Sequence, residues 1–196
     1  MGSMDIERED RSRWIDILSQ DFYCFEEINV RDAIFDQELR ADIVCVPKKG
    51  CQFAIVIEVK KPTFKWELSD WIDVLRQSAS YCFSEVDCPD CELLHKKRVL
   101  GTFVWPSPMS CLRQRPPQFM RDYDPPEVRG AFLLAQHLGV GGCFEQNGKF
   151  GLELGTEKLW NSHEGFKPAF QRRLEGGFRR GNKQNSRISL DRLREI

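Results

Sequence analysis

No apolar run in this chain approaches the roughly 18 residues needed to cross a bilayer, so no membrane-spanning helix is expected. GxxxxGK[ST] and GxSxG are both missing, and Gly148-Lys149 is followed by Phe150 with no glycine at the required distance upstream. Nucleotide-driven hydrolysis through a P-loop and acyl transfer from a nucleophile elbow therefore have no sequence support. Histidine is scarce, three residues at positions 95, 137 and 163, which leaves no pattern for a Ser-His-Asp triad. Strong charge of one sign is lacking too: the formal net charge is −1, so the chain as a whole is not a polycation. No secretion signal is expected, because the charged stretch MDIEREDRSR follows Met1-Gly2-Ser3, which reads as a cloning remnant. A cytoplasmic or nuclear protein is the expectation, and its eight cysteines then argue against a disulfide scaffold.

With 196 residues and 41% hydrophobic content, the chain fits one soluble domain with a single core. Charge is unevenly spread. From Lys167 to Ile196 nine Lys or Arg stand against three acids, a balance of +6 that leaves −7 for the remainder. An acidic body with a basic tail suits a protein that holds metal and tracks a phosphate backbone, and a merely solvated tail explains the same charge.

The richest stretch is Arg40 to Pro62, RADIVCVPKKGCQFAIVIEVKKP. It predicts two strands, Ala41–Pro47 and Phe53–Lys61, joined by a turn at Lys48-Lys49-Gly50-Cys51 and apolar enough to be covered on both faces. Asp42, Glu58 and Lys60 nevertheless lie inside them. Pairing about the turn sets residue 42 opposite 57 to 58, so Asp42 and Glu58 converge across one rung. Glu58 and Lys60 share a face by the two-residue period. Two carboxylates in a dry site raise at least one pKa unless a divalent cation sits between them, and Mg²⁺ accepts such a pair plus water and phosphate oxygens. The lysine then polarises or deprotonates water, or steadies charge on phosphate. The plainer alternative is that both acids pair with Lys60, Lys61 or an arginine.

Asp42 and Glu58-Val59-Lys60 resemble the PD-(D/E)XK signature of restriction enzymes, Holliday-junction resolvases and RecB-type exonucleases, with Ala41 where that family often has Pro. Gln77-Ser78-Ala79-Ser80-Tyr81 is similar to the Gln-x-x-x-Tyr motif of the RecB-like branch. The resemblance covers about residues 9 to 105. It implies an α/β fold with a mixed central β-sheet flanked by helices and a restriction-endonuclease-like core, over residues 5–160. It further implies Mg²⁺ or Mn²⁺ held by Asp42, Glu58 and the Val59 carbonyl, with Lys60 at the attacking water and Gln77 and Tyr81 on substrate. The family's first helix often adds a carboxylate, for which Glu9 is the candidate. Acids in a first helical turn equally complement the macrodipole.

The remaining elements follow in order. Ile6–Gln20 predicts a helix burying Ile15 and Leu18 beside Trp14, with Arg11, Arg13 and Asp16 outward. Phe22–Val30 reads as a strand, Glu26 and Glu27 as an edge or solvent feature, either of which could approach the site, and Arg31–Leu39 as a connection. A helix from Trp66 or Ser69 to Phe83 carries a core stripe Leu68, Ile72, Leu75 and Ala79, with Gln77 and Tyr81 on another face beside Asp70 and Val74. Cys88-Pro-Asp-Cys91, with Cys82 or His95, has the spacing of a zinc knuckle, and inert thiols are the simpler reading. Some RecB-like nucleases hold an iron–sulfur cluster, whose cysteine order this chain does not match well. Val99–Trp105 is a strand, and 109–127 an irregular excursion whose Arg113, Arg115 and Arg121 suit a phosphate backbone. Val128–Leu138 predicts a helix, Val140–Leu154 a hairpin turning at Asn147-Gly148, and Lys167–Leu174 a helix leading into a Gly- and Arg-rich tail, flexible until bound. The expected function is metal-dependent hydrolysis of nucleic acid, DNA favoured. A catalytically silent binding or interaction module on the same fold is the alternative, and assembly into a homodimer or larger complex stays open.

Overall fold

The computed structural model describes residues 3–32, 36–49, 53–60, 68–82, 84–86, 88–108, 125–155, 157–170 and 172. Among these the elements run α1 (Ser3–Leu18), β1 (Phe22–Asp32), β2 (Glu38–Pro47), β3 (Phe53–Val59), α2 (Leu68–Tyr81), β4 (Ser84–Val86) and β5 (Arg98–Trp105). They continue as α3 (Pro125–Leu138), β6 (Val140–Gln146), β7 (Lys149–Leu154), β8 (Glu157–Asn161) and β9 (Gly165–Phe166). The result is a mixed α/β architecture, one large sheet flanked by helices, with parallel β3–β5 and β5–β6 pairs and antiparallel pairs elsewhere. Among the described residues no helix is long and apolar enough to cross a membrane.

The sheet closes on itself at one end. β3 pairs with both β2 and β5, while the end of β1 pairs with the short β4, which meets β5 at Glu85 and Arg98. Five strands thus form a ring, and β6 to β9 continue outward from β5. Closure removes unpaired edges that would otherwise invite other chains. Alternation along the strands divides the core. Odd-numbered Ile43, Cys45, Ile55, Ile57 and Val59 belong to a cluster with Trp14 and Leu18 of α1. Even-numbered Val44, Val46, Ala54 and Val56 join Val30, Val86 and Val99, so this second cluster draws on all five strands and fills the ring, with Tyr81 and Leu94 plugged into it. A third cluster packs Trp71 and Leu75 of α2 on Ala131 and Ala135 of α3 over Val104 and Val140.

The structure departs from the sequence pattern in identifiable ways. α2 is rotated from the predicted stripe: Trp71, Val74, Leu75, Ser78 and Tyr81 are buried, while Ile72 is 42% exposed. Burying an indole and a phenol removes more area from water than burying Ile72 and Ala79, and that decides the rotation. α3 begins at Pro125, not Val128, because proline in a first helical turn forfeits no hydrogen bond. The fold continues past residue 160: β9 pairs with β8, and Phe166 and Phe170 stack together beside Phe22 and Phe53. The predicted turn residues Gly50 and Cys51, Pro62, the excursion 109–124 with Arg113, Arg115 and Arg121, and the tail from 173 lie outside the described residues. The Asn147-Gly148 turn is as expected, both residues having positive φ (52° and 71°).

Gly141 on β6 shows how closely the layers approach. A Cβ there would sit 2.4 Å from the Phe103 ring and 2.7 Å from the Glu153 carbonyl oxygen, and the latter is backbone that cannot swing away. Gly141→Ala is expected to cost about 1–3 kcal/mol, read as a lower urea midpoint at unchanged slope.

Candidate metal centre at the mouth of the strand ring

Antiparallel pairing of Ile43 with Ile57 places Asp42 opposite Glu58, one residue further along both strands. The two acids meet at the mouth of the ring, Glu58 against Tyr81 of the ring-filling cluster and Asp42 against Arg11 of α1. Glu58 is 1% exposed and Asp42 half-buried. Lys60 follows β3 in the same alternation, its N–H donating to the Trp105 carbonyl at 2.7 Å. Its Nζ lies 2.5 Å from Glu58 Oε1. The contact is a close ion pair at a buried carboxylate oxygen.

The other oxygen of each acid is pinned. Asp42 Oδ2 accepts the Val59 N–H at 2.8 Å, tying the acid of one strand to the backbone of the next. Glu58 Oε2 lies 3.1 Å from the Tyr81 hydroxyl. That hydroxyl accepts from Gln77 Nε2 at 3.0 Å, the two side chains meeting one helical turn apart, and also lies 2.7 Å from the Arg40 carbonyl. One phenolic proton cannot serve both acceptors, and the shorter contact is to Arg40. A protonated Glu58 resolves the conflict by donating to the phenol. In keeping with this, burial and the Asp42 charge push the Glu58 carboxyl up to about 7, against the opposing pull of Lys60 and Tyr81. Burial works against the Lys60 ammonium, yet Glu58, Asp42 and Glu7 outweigh it and raise its pKa above the ordinary value. Burial, with the Glu58 charge, also raises the Tyr81 hydroxyl, which stays protonated at neutral pH.

Helix α1 contributes differently from expectation. Glu9 is exposed, and no hydrogen bond or ion pair to it is found among the described residues. Glu7, one turn from Arg11 on the helix, is the α1 acid whose charge reaches Lys60, and Asp10 accepts from Trp105 Nε1 at 3.0 Å. Arg11, predicted to face outward, turns in: its side chain is 14% exposed, 3.0 Å from Glu27 Oε1 and 3.7 Å from Asp42 Oδ1. Glu7 and Arg11 of α1 thus act on Lys60 and Asp42, while Trp14 and Leu18 of the same helix are buried in the core. Glu27 stands in β1 across from Asp42, carries φ 53°, uncommon for a residue with a Cβ, and is held by Arg11 and Arg40. A guanidinium among three carboxylates, Glu26, Glu27 and Asp42, is the feature the sequence reading did not assemble, and the two acids in sequence at Glu26-Glu27 were its trace.

A divalent cation fits the acid pair on one structural ground. The donor set fits: Asp42 Oδ2 is fixed by the Val59 N–H while its Oδ1 lies 3.7 Å from Arg11, and Glu58 Oε1 is buried with the Lys60 ammonium against it. Among the described residues no group of three or more His, Cys, Asp or Glu side chains is gathered for a metal. Two carboxylates suit Mg²⁺ or Mn²⁺, which take their remaining ligands from water and phosphate. Zinc at Cys88 and Cys91 does not fit, since tetrahedral coordination needs four ligands. Cys82 contacts the Thr102 hydroxyl at 3.3 Å, His95 is exposed, and Cys88 and Cys91 pack on the ring-filling cluster as small hydrophobes. The backbone of this segment turns through Cys91 N–H to Cys88 C=O, a tight turn that needs no metal.

No family model, curated protein or solved structure matches this chain.

Proposed function

We propose that the chain is a Mg²⁺- or Mn²⁺-dependent nuclease with a restriction-endonuclease-like core, hydrolysing nucleic-acid phosphodiesters, DNA in preference. The observation that carries this reading is the Asp42–Glu58–Lys60 constellation, in which two carboxylates stand opposite each other across a strand pair, one of them buried against an ammonium. Asp42 and Glu58, with the Val59 carbonyl, would hold the cation. When bound, the cation supplies Lewis acidity, making water a better nucleophile and neutralising phosphate charge. Lys60 stays protonated because its pKa is raised, so its role is to orient water and stabilise charge on the phosphate, not to act as a base. Tyr81 and Gln77 hold Glu58 in place from α2, the buried Tyr81 hydroxyl being engaged by Glu58, Gln77 and the Arg40 carbonyl. Arg11 bridges Asp42 and Glu27 and is within reach to meet a substrate phosphate once Asp42 engages metal. The +6 balance from Lys167 to Ile196 supplies a non-specific attraction for the backbone.

Calorimetric titration with Mn²⁺ tests the binding step independently of turnover. The wild type is expected to take up the ion, and Asp42→Asn to lose that uptake while keeping its fold by circular dichroism. Equal uptake by both proteins would remove the acid pair from the account.

A further inference from the structure

Outside the acid pair, the molecule holds a second reactive arrangement. Cys24 and Cys45 are direct partners in the antiparallel β1–β2 ladder, and their Sγ atoms lie 3.6 Å apart. Directly opposed residues in such a ladder have Cα atoms about 4.5–5.5 Å apart, inside the roughly 4.4–6.8 Å that a disulfide spans. Both thiols are free, so side-chain rotation alone closes the gap with the ladder intact. Cys24 is half-buried and reachable, whereas Cys45 is fully buried among Ile43, Ile55 and Trp14. We infer that Cys24 is a thiol-modification site for peroxides, with Cys45 as its resolving partner in a reversible disulfide.

The surroundings agree with those roles. Cys24 is drawn below the ordinary thiol pKa by the Cys45 hydrogen bond, Ser19 and the Lys48 charge, although burial opposes them. Burial pushes the Cys45 thiol well up, which keeps its proton until a neighbour reacts. The chemistry balances. The Cys24 thiolate sulfur attacks one peroxide oxygen; an S–O bond forms, the O–O bond breaks and hydroxide leaves, giving the sulfenic acid. The Cys45 sulfur then attacks Cys24 sulfur, forming S–S and expelling the hydroxyl, which departs as water with the Cys45 proton. The two thiols are oxidised by two electrons and the peroxide is reduced to two waters.

The test treats the full chain with excess hydrogen peroxide, blocks free thiols with a maleimide, and digests with trypsin without reductant. Cleavage at Arg13, Arg31, Arg40 and Lys48 puts Cys24 and Cys45 on separate peptides, 14–31 and 41–48, each with a single cysteine. The expected product is these two peptides joined, two hydrogens lighter than the free pair and separated again by dithiothreitol, with two of the eight thiols lost to titration. In Cys24→Ser protein, Cys45 is expected to remain reduced. In Cys45→Ala, Cys24 is expected to stop at a dimedone-trapped sulfenic acid. If that core variant fails to fold, the wild-type digest decides alone. Both thiols still free after the peroxide is consumed, or either one joined to another cysteine such as the buried Cys143, overturns the inference.

Discussion

Glu58→Gln is expected to stabilise the protein by about 3 kcal/mol near pH 8 in the presence of a chelator, and by almost nothing near pH 4. Burial and Asp42 raise this carboxyl from 4.5 to about 7. The folded state therefore holds the proton more tightly than the unfolded chain. The stability carried by protonated Glu58 is fully present below the unfolded value near 4.5, and it is lost as pH rises through 7. Glutamine has the shape of the protonated acid and carries no charge to desolvate, so the variant keeps at high pH what the wild type loses. The pull of Lys60 is already contained in that rise, so losing the ion pair takes nothing further from the gain. Urea denaturation at the two pH values reads the difference directly. A constant difference across the range would mean that Glu58 does not titrate as its surroundings require. Mn²⁺ is expected to close the same gap in wild-type protein, since a ligand that binds only the folded acid pair stabilises it by mass action.

Lys60→Ala is expected to lower the rate of DNA cleavage by roughly 10²–10⁴-fold, the range for losing one positioned group that acts on the transition state. The ammonium is built into the site from two directions: its backbone N–H continues the β3–β5 ladder at Trp105, and its Nζ sits against Glu58. Truncation takes away charge where phosphate charge develops and leaves both carboxylates for the cation. Cation uptake should persist while turnover falls, and that split separates a catalytic loss from a collapsed site. Loss of both in parallel would make Lys60 a structural counter-ion.

The acid pair was legible because a hairpin has only one degree of freedom once its turn is placed. The sum of partner numbers is constant, so Ile43 opposite Ile57 fixes Asp42 opposite Glu58. The Gln77–Tyr81 contact was legible for a similar reason, helical periodicity making residues four apart neighbours. Closure of the strand ring was not legible. It depends on β4, whose three residues Ser84–Val86 are too short to show a period and whose partners lie far away in sequence. Which α1 side chains come near the acid pair was not legible: a wheel gives their spacing but not how the helix sits on the sheet, and it is Glu7 and Arg11 that act on Lys60 and Asp42 while Glu9 is exposed. The Cys24–Cys45 pairing needed the β1–β2 register, and the intervening connection from Arg31 gives no turn signal from which to count it.

The most direct measurement is cleavage of supercoiled plasmid and of linear single- and double-stranded DNA by the full chain with Mg²⁺, Mn²⁺ or EDTA. The account predicts nicked or shortened products with either cation and none with EDTA, abolished in Asp42→Asn. Intact DNA under every condition, from protein that folds and takes up Mn²⁺, would contradict it.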